Sequence, residues 1–323
     1  MHGDRPERVT RHRVEASRAL ASLLAVLILL PACSAPQPLA LGMAADDVRE
    51  IDAFSRRADA PVSMYEWFQG WAGDAPFDVA RAEAATARGA LPVLTWEPWS
   101  PGAGVDQPAY ALARIIDGTH DAYIAAFARQ VRQWGGRLGI RFLHELNADH
   151  YPWGVGVNGN TPAQAVAAWQ HVRRVFAVEG VDDAVWIWCV NVHTERTVPF
   201  ADLFPGDDVV DWVAVDGYNG GTALPWGGWR TPREIFGASL DDLHELSERP
   251  VVITEVGSAE QGGSKAAWIR ELFELAADRD VRGLIWFEHD KETDWRMQST
   301  PAAAAAFRDG VTLHGRVSSQ PPR

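Results

Sequence analysis

From Leu39 onward the chain alternates short apolar runs with longer amphipathic stretches. The runs are LALGMA (39–44), PVSMYEWF (61–68), LPVLTWEPW (91–99), GIRFLHELN (139–147), AVWIWCVNV (184–192), VDWVAVDGYN (210–219), PVVITEVG (250–257) and GLIWFEHD (283–290). Each has the length and residue types of a buried strand. Helix signals lie between them at 46–57, 77–88, 120–134, 161–180, 232–247 and 265–277. The third of these carries Ile124, Phe127 and Val131 at helical spacing and stops at Gly135-Gly136. The fourth opens with Thr161 as N-cap and Pro162 at the first helical position. Strand and helix in alternation predict a parallel sheet with crossover helices. Eight strands favour closure into an α/β fold of the (β/α)8 TIM-barrel type, a single domain over residues 39–309, with 310–323 as a flexible tail. No GxGxxG follows an early strand and no phosphate loop is present, which disfavours a nucleotide-binding sheet.

The first 32 residues follow another pattern. Arg5, Arg8, Arg11, Arg13 and Arg18 precede ALASLLAVLILLPAC. That apolar run fits the core of an export signal and is short for a membrane span. Its end, Leu30-Pro31-Ala32-Cys33, resembles a bacterial lipobox, which makes Cys33 a candidate lipid anchor; the alternative is a plain secretory signal cut near Ala32 or Ala35. Residues 1–32 are therefore set aside from the fold and 33–38 read as a linker. The protein is expected to be exported, at the cell surface or in the periplasm if lipidated and otherwise secreted.

Charge narrows the partners. The formal net charge is −13, which argues against nucleic acid and suits a neutral ligand. Tryptophan is abundant, with fifteen copies, several beside polar residues; indole faces suit the C–H faces of sugar rings, although most tryptophans, such as those in WIW (186–188), belong to cores. Cys33 and Cys189 are the only cysteines, too few for a disulfide framework.

Barrel enzymes build their sites where strands end. Here those ends carry Glu66, Glu97, His144, Glu145, Asn147, Asn191, His193, Asp216, Tyr218, Asn219, Glu255, Glu288, His289 and Asp290. Glu145 and Glu255 stand out because each follows a strongly apolar strand, the fourth and the seventh. A carboxyl pair at one mouth is what glycoside hydrolysis needs: one protonates the leaving oxygen, the other attacks the anomeric carbon or activates water. His144-Glu145 opens like a zinc HExxH motif, but the next histidine is six residues on, which is the wrong spacing for two ligands on one helical face. No metal and no cofactor are expected.

RFLHELNADHYPWG, GNTPAQAVAAWQHVRRVF, AVWIWCVN, FPGDDVVDWVAVDGYN, PVVITEVG and WFEHDKETDWR, in that order over about residues 61–300, resemble glycoside hydrolase family 26, which holds β-mannanases, mixed-linkage β-glucanases and some xylanases. The resemblance implies a retaining (β/α)8 enzyme with Glu145 as acid/base and Glu255 as nucleophile. It implies His144 near the reacting sugar, Tyr218 hydrogen-bonded to the nucleophile and Trp286 as the aromatic floor at the cleavage point. Trp96 and Trp153 are candidate sugar platforms, and Asn147 and His150 complete the candidate substrate contacts. Asp294 and Arg296 match a motif read as structural. Relatives carry Trp where this chain has His150, and Gly where it has Ala148, which bears on substrate preference. The expectation is an endo-acting enzyme cleaving β-mannan or mixed-linkage β-1,3-1,4-glucan, as a monomer, touching membrane only through an anchor at Cys33. The alternative is a non-catalytic glycan-binding lipoprotein that keeps the barrel.

Overall fold

The computed structural model describes residues 1–3, 38–194, 198–313 and 317–322. Two units separate, Met1–Ala35 and Pro36–Arg323; the described residues of the first form no regular element. The expected leader and Cys33 lie outside the described residues. No helix among the described residues is long and apolar enough to cross a membrane.

The second unit is a barrel. Its strands are β1 (Leu39–Ala44), β2 (Met64–Gly70), β3 (Leu91–Glu97), β4 (Gly139–Phe142), β5 (Val185–Asn191), β6 (Trp212–Asn219), β7 (Val251–Ser258) and β8 (Gly283–Phe287). All pair in parallel in sequence order, and β1 pairs with both β2 and β8, which closes the sheet. Closure leaves no open edge in the eight-stranded ring.

Strand periodicity explains what fills it. On β1, Leu39, Leu41 and Met43 join the cluster beneath the helices, while Ala40 and Ala44 join the cluster around the barrel axis. Gly42 shares the inward phase. A Cβ there would come within 2.8 Å of Ile285 and 3.0 Å of Met64, so only glycine fits. The lower interior is apolar, with Met64, Leu91, Val93, Val185, Ile187, Ala214, Val252 and Ile285. Two residues further along the same inward phase the character changes to Glu66, Thr95, Arg141, Cys189, Asp216 and Thr254, all fully buried. The polar layer therefore lies directly beneath the C-terminal mouth.

Around the ring run α1 (Glu50–Ala58), α2 (Val79–Thr86), α3 (Leu112–Ile116), α4 (Asp121–Trp134), α5 (Pro162–Val178), α6 (Pro232–Leu246), α7 (Lys265–Asp278) and α8 (Pro301–Leu313). The N-cap expected at Thr161 is present and forms a full capping box with Gln164; Thr231 and Glu234 form a second. Gly135 ends α4 in the left-handed conformation. Helices α3 and α8 have no counterpart in the sequence reading: α3 is five residues long, and α8 opens with an alanine run whose pattern has little contrast.

The C-terminal segment differs from expectation. Residues 310–323 read as a flexible tail, yet α8 continues to Leu313 and Gly310 packs against the Phe273 ring, where a Cβ would lie 2.1 Å from Cδ2. A further strand, β9 (Val317–Ser318), pairs with Leu39 and Ala40, and Pro322 is buried near Gly283. Val317, Ser318 and Pro322 are thus held beside the N-terminal ends of β1 and β8. Its polar composition hid this, because two ladder residues leave no periodic signal.

Candidate active site

Strand β4 ends at Phe142, and the chain turns sharply after it. Leu143 and Glu145 both hold φ of 52°, a left-handed conformation that costs a non-glycine residue about 1–2 kcal/mol. The turn is fixed by the Glu145 backbone N–H, which donates to the Cys189 carbonyl at 3.0 Å. It delivers the Glu145 carboxyl to the mouth, 5% exposed. His150, further along the same loop, lies with Nε2 2.5 Å from Glu145 Oε2.

Glu255 arrives by a different device. Strand β7 pairs Ile253 with Val215 and Glu255 with Asp216, so Thr254 is the extra residue of a bulge. The ladder to β8 is irregular at the same place. A bulge re-aims the side chains that follow it. Here Thr254 points to the axis, where its hydroxyl donates to Asp216 Oδ1 at 2.7 Å, and Glu255 also reaches the mouth at 7% exposure. Both Glu255 oxygens accept hydrogen bonds, Oε1 from Arg141 and Oε2 from the Tyr218 hydroxyl at 2.5 Å.

Arg141 organises the buried layer. Its guanidinium donates to Thr95 Oγ1 at 2.8 Å and forms ion pairs with Glu66, Asp216 and Glu255. Burial disfavours its charge, but the three carboxylates outweigh that and hold it firmly protonated. One cation faces three acids, so the layer retains a proton. Burial pushes Glu66 up to about 7, against the pull of Arg141. Burial likewise raises Asp216 well above the carboxylate range, with the charges of Glu255, Glu145 and Glu66 adding to it. Tyr218 is raised by burial and by the Glu255 charge, so it stays a phenol that donates.

The mouth is a cleft of two adjacent lobes that share Tyr151, Glu255, Phe287 and Lys291. The first, about 470 Å³, is walled by Phe68, Glu97, Trp99 and His289. The second, about 620 Å³, holds Glu145, His150, Tyr218, Trp226, Arg230 and Trp295. Burial pushes Glu97 up to about 7 even though Trp99 Nε1 donates to it at 3.1 Å. Burial, and then the Arg141 charge, hold His144 far below its ordinary value, so it is a neutral imidazole. For His150 burial acts downward, but the hydrogen bond and charge of Glu145, with the charges of Asp149 and Glu255, leave its pKa raised.

The candidate residues separate into two groups. Glu145, Glu255, Tyr218 and His150 stand together in the second lobe. His144 is fully buried beneath the cleft, its ring 4.5 Å from that of Tyr151 and its Nε2 3.9 Å from Glu97 Oε1. Asn147 is engaged with the backbone of Asn191 in both directions, at 2.8 and 2.7 Å, and braces the loop.

The three tryptophans expected to meet sugar are placed elsewhere. Trp96 is fully buried among Tyr123, Phe127 and Phe176 under α4 and α5. Trp286 is fully buried against Trp268 and Phe307 under α7 and α8. Both occupy the outward phase of their strands, where a one-residue step decides the face. Their inward neighbours Glu97 and Phe287 line the cleft instead. Trp153 is buried behind the wall, stacked on Tyr151 at 4.5 Å and 7°, with Nε1 donating to the His144 carbonyl. Arg141, Phe287, Lys291 and Trp295 were not singled out from the sequence; stepping two residues forward from the inward-facing Gly139 and Ile285 would have found Arg141 and Phe287.

A closed parallel barrel with a carboxyl pair on the C-terminal ends of its fourth and seventh strands defines a class of site before any relative is considered. The sequence model of Glycosyl hydrolase family 26 matches residues 96–271, more than half of the chain, and the chain belongs to that family. It is 32% identical over 277 residues to Endoglucanase H of Acetivibrio thermocellus, covering 84% of this chain and 29% of that protein. It is 27% identical over 207 residues to a mannan endo-1,4-beta-mannosidase of Thermothelomyces thermophilus, covering 62% of this chain and 34% of that one. The chain thus spans about a third or less of these relatives. Among solved structures, a family 26 beta-mannanase from Bacteroides ovatus superposes with a TM-score of 0.62 at 16% identity, over 87% of this chain and 90% of that one. A double mutant of an endo-beta-1,4-mannanase from Cellulomonas fimi gives 0.65 at 13% identity, over 87% and 73%. At these identities the likeness concerns the fold.

Proposed function

We propose that this protein is an endo-acting, retaining glycoside hydrolase of β-linked polysaccharide. The observation that carries the reading is the pairing of Glu145 and Glu255 in one lobe, each held by different partners. Glu255, with both oxygens accepting, is the nucleophile. It attacks the anomeric carbon while Glu145 gives its proton to the departing glycosidic oxygen. The products of this step are a glycosyl ester on Glu255 and a free leaving chain. Glu145, now a carboxylate, takes a proton from water, whose oxygen attacks the same carbon and releases Glu255. Two inversions give net retention.

The polymer is β-mannan or mixed-linkage β-1,3-1,4-glucan. The names of the two relatives, an endoglucanase and a mannosidase, lie on either side of that choice. Reducing-sugar release from glucomannan, galactomannan, barley-type β-glucan and laminarin tests the reading. Release from one polymer, lost on the order of 10⁴-fold or more in Glu255→Ala, is the expected result. Binding without release, unchanged in that variant, would replace the enzyme with a glycan-binding protein.

Export belongs to the same proposal, supported by the arginine-rich start and apolar run before Cys33. On this reading Cys33→Ser moves the protein from the membrane fraction to the soluble one. Wild type already in the soluble fraction of the exported material would remove the anchor and leave a secreted enzyme.

A further inference from the structure

All fifteen tryptophans lie among the described residues, and one differs from the rest. Trp226 is 61% exposed, whereas the others are buried or partly buried. An exposed indole is costly surface for a protein to present, because apolar area that could leave water stays in it. This one lines the second lobe with Glu145, His150 and Arg230.

Its support is built for it. Trp226 follows β6 in the loop that leads to α6. The loop is pinned by Gly228 N–H donating to the Gly221 carbonyl at 2.6 Å, Gly227 N–H to Leu224 at 3.0 Å and Thr222 N–H to Gln261 at 3.0 Å. Gly221 and Gly228 have φ of 52° and 101° and form a bridge. The six-membered ring of the indole rests on the backbone at Gly220, where a Cβ would come within 3.0 and 3.1 Å of two of its atoms. The indole therefore lies against the glycine backbone at Gly220 and remains open to the cleft.

We propose that Trp226 is the platform for a sugar on the leaving-group side of the cleaved bond, taking the C–H face of a β-linked pyranose. The proposal rests on the hydrolase reading above, which places the leaving oxygen at Glu145 and so the departing chain in the lobe that Trp226 walls. His150, half exposed in that lobe, turns its Nε2 to Glu145 and is committed there. The stacking surface in this lobe is then the exposed indole of Trp226.

The test compares two substrate types in the full-length protein. One is a polysaccharide or long oligosaccharide that places sugars on both sides of the cleavage point. The other is an aryl glycoside of the same glycone, whose leaving group is a single small ring. Trp226→Ala should lower kcat/KM on the long substrate about tenfold more than on the aryl glycoside, mostly through KM, as expected for loss of one stacking contact. Trp226→Phe should recover most of that difference. Equal losses on both substrates, or none on either, would overturn the assignment. So would a Trp226→Phe variant no better than alanine. Melting temperatures within a degree or two of wild type keep a folding defect from imitating the effect. If wild type hydrolyses neither substrate, the hydrolase reading fails and takes the platform with it; if wild type hydrolyses both and the variants match it, only the platform fails.

Discussion

His150 gives the mouth a titratable ring that a tryptophan in its place could not. The sequence shows the histidine but not its consequence, because loop geometry after a left-handed turn is not written in residue spacing. The contact with Glu145 raises its pKa above the ordinary 6.5, and the sign follows from linkage. A base whose folded pKa is raised contributes stability that is fully present below 6.5 and is lost as pH rises through the raised value. The melting temperature of His150→Gln should therefore fall short of wild type most at low pH, with the gap closing above neutrality. A gap independent of pH would mean the imidazole contributes only by packing. Glu145 and Glu255 were legible because each ends a run too apolar to need a carboxylate. Trp96 and Trp286 were misplaced because residue type was weighed above phase: each sits one position from a residue that does line the cleft.

At the scale of elements, the strands were readable from their runs, and the eight segments fall where the pattern puts them. What could not be read was the bulge at Thr254. It brings Thr254 to the axis and Glu255 to the mouth in succession, where a regular strand would place them on opposite faces. The buried layer explains why the bulge holds. Thr254 and Glu255 both contact Arg141, which contacts groups on β2, β3, β5 and β6 as well. Removing one side of a buried ion pair costs about 3–5 kcal/mol, since the partner charge is left uncompensated. Arg141→Met should destabilise by about that much and also abolish hydrolysis, as Glu255 loses one of its two donors. A variant that melts like wild type in denaturant titration would show that the carboxylates simply take up protons in place of the guanidinium.

Across the whole molecule, barrel closure was inferred from counting eight runs, and the β1–β8 pairing supplies it. The strap of 317–322 across the barrel's N-terminal end was not foreseen, since so short a ladder looks like a polar end. Excess acidity is the property of the molecule most open to titration. Burial raises Glu66 and Glu97 to about 7 and Glu288 to about 6. Between 4.5 and 7 the folded chain thus holds more protons at these sites than the unfolded one. Their contribution to stability is full below about 4.5 and declines as pH rises through 7. The melting temperature of Glu97→Gln should fall less steeply across that window than that of wild type; parallel slopes would contradict the assignment. The central claim is the division of labour between Glu145 and Glu255, and the stereochemistry of the first product tests it most directly. Proton NMR of the reducing ends released from the preferred polymer, read before mutarotation, should show the β-anomer first. The α-anomer appearing first would mean inversion through a water between the carboxyl groups and would remove Glu255 from its role as nucleophile.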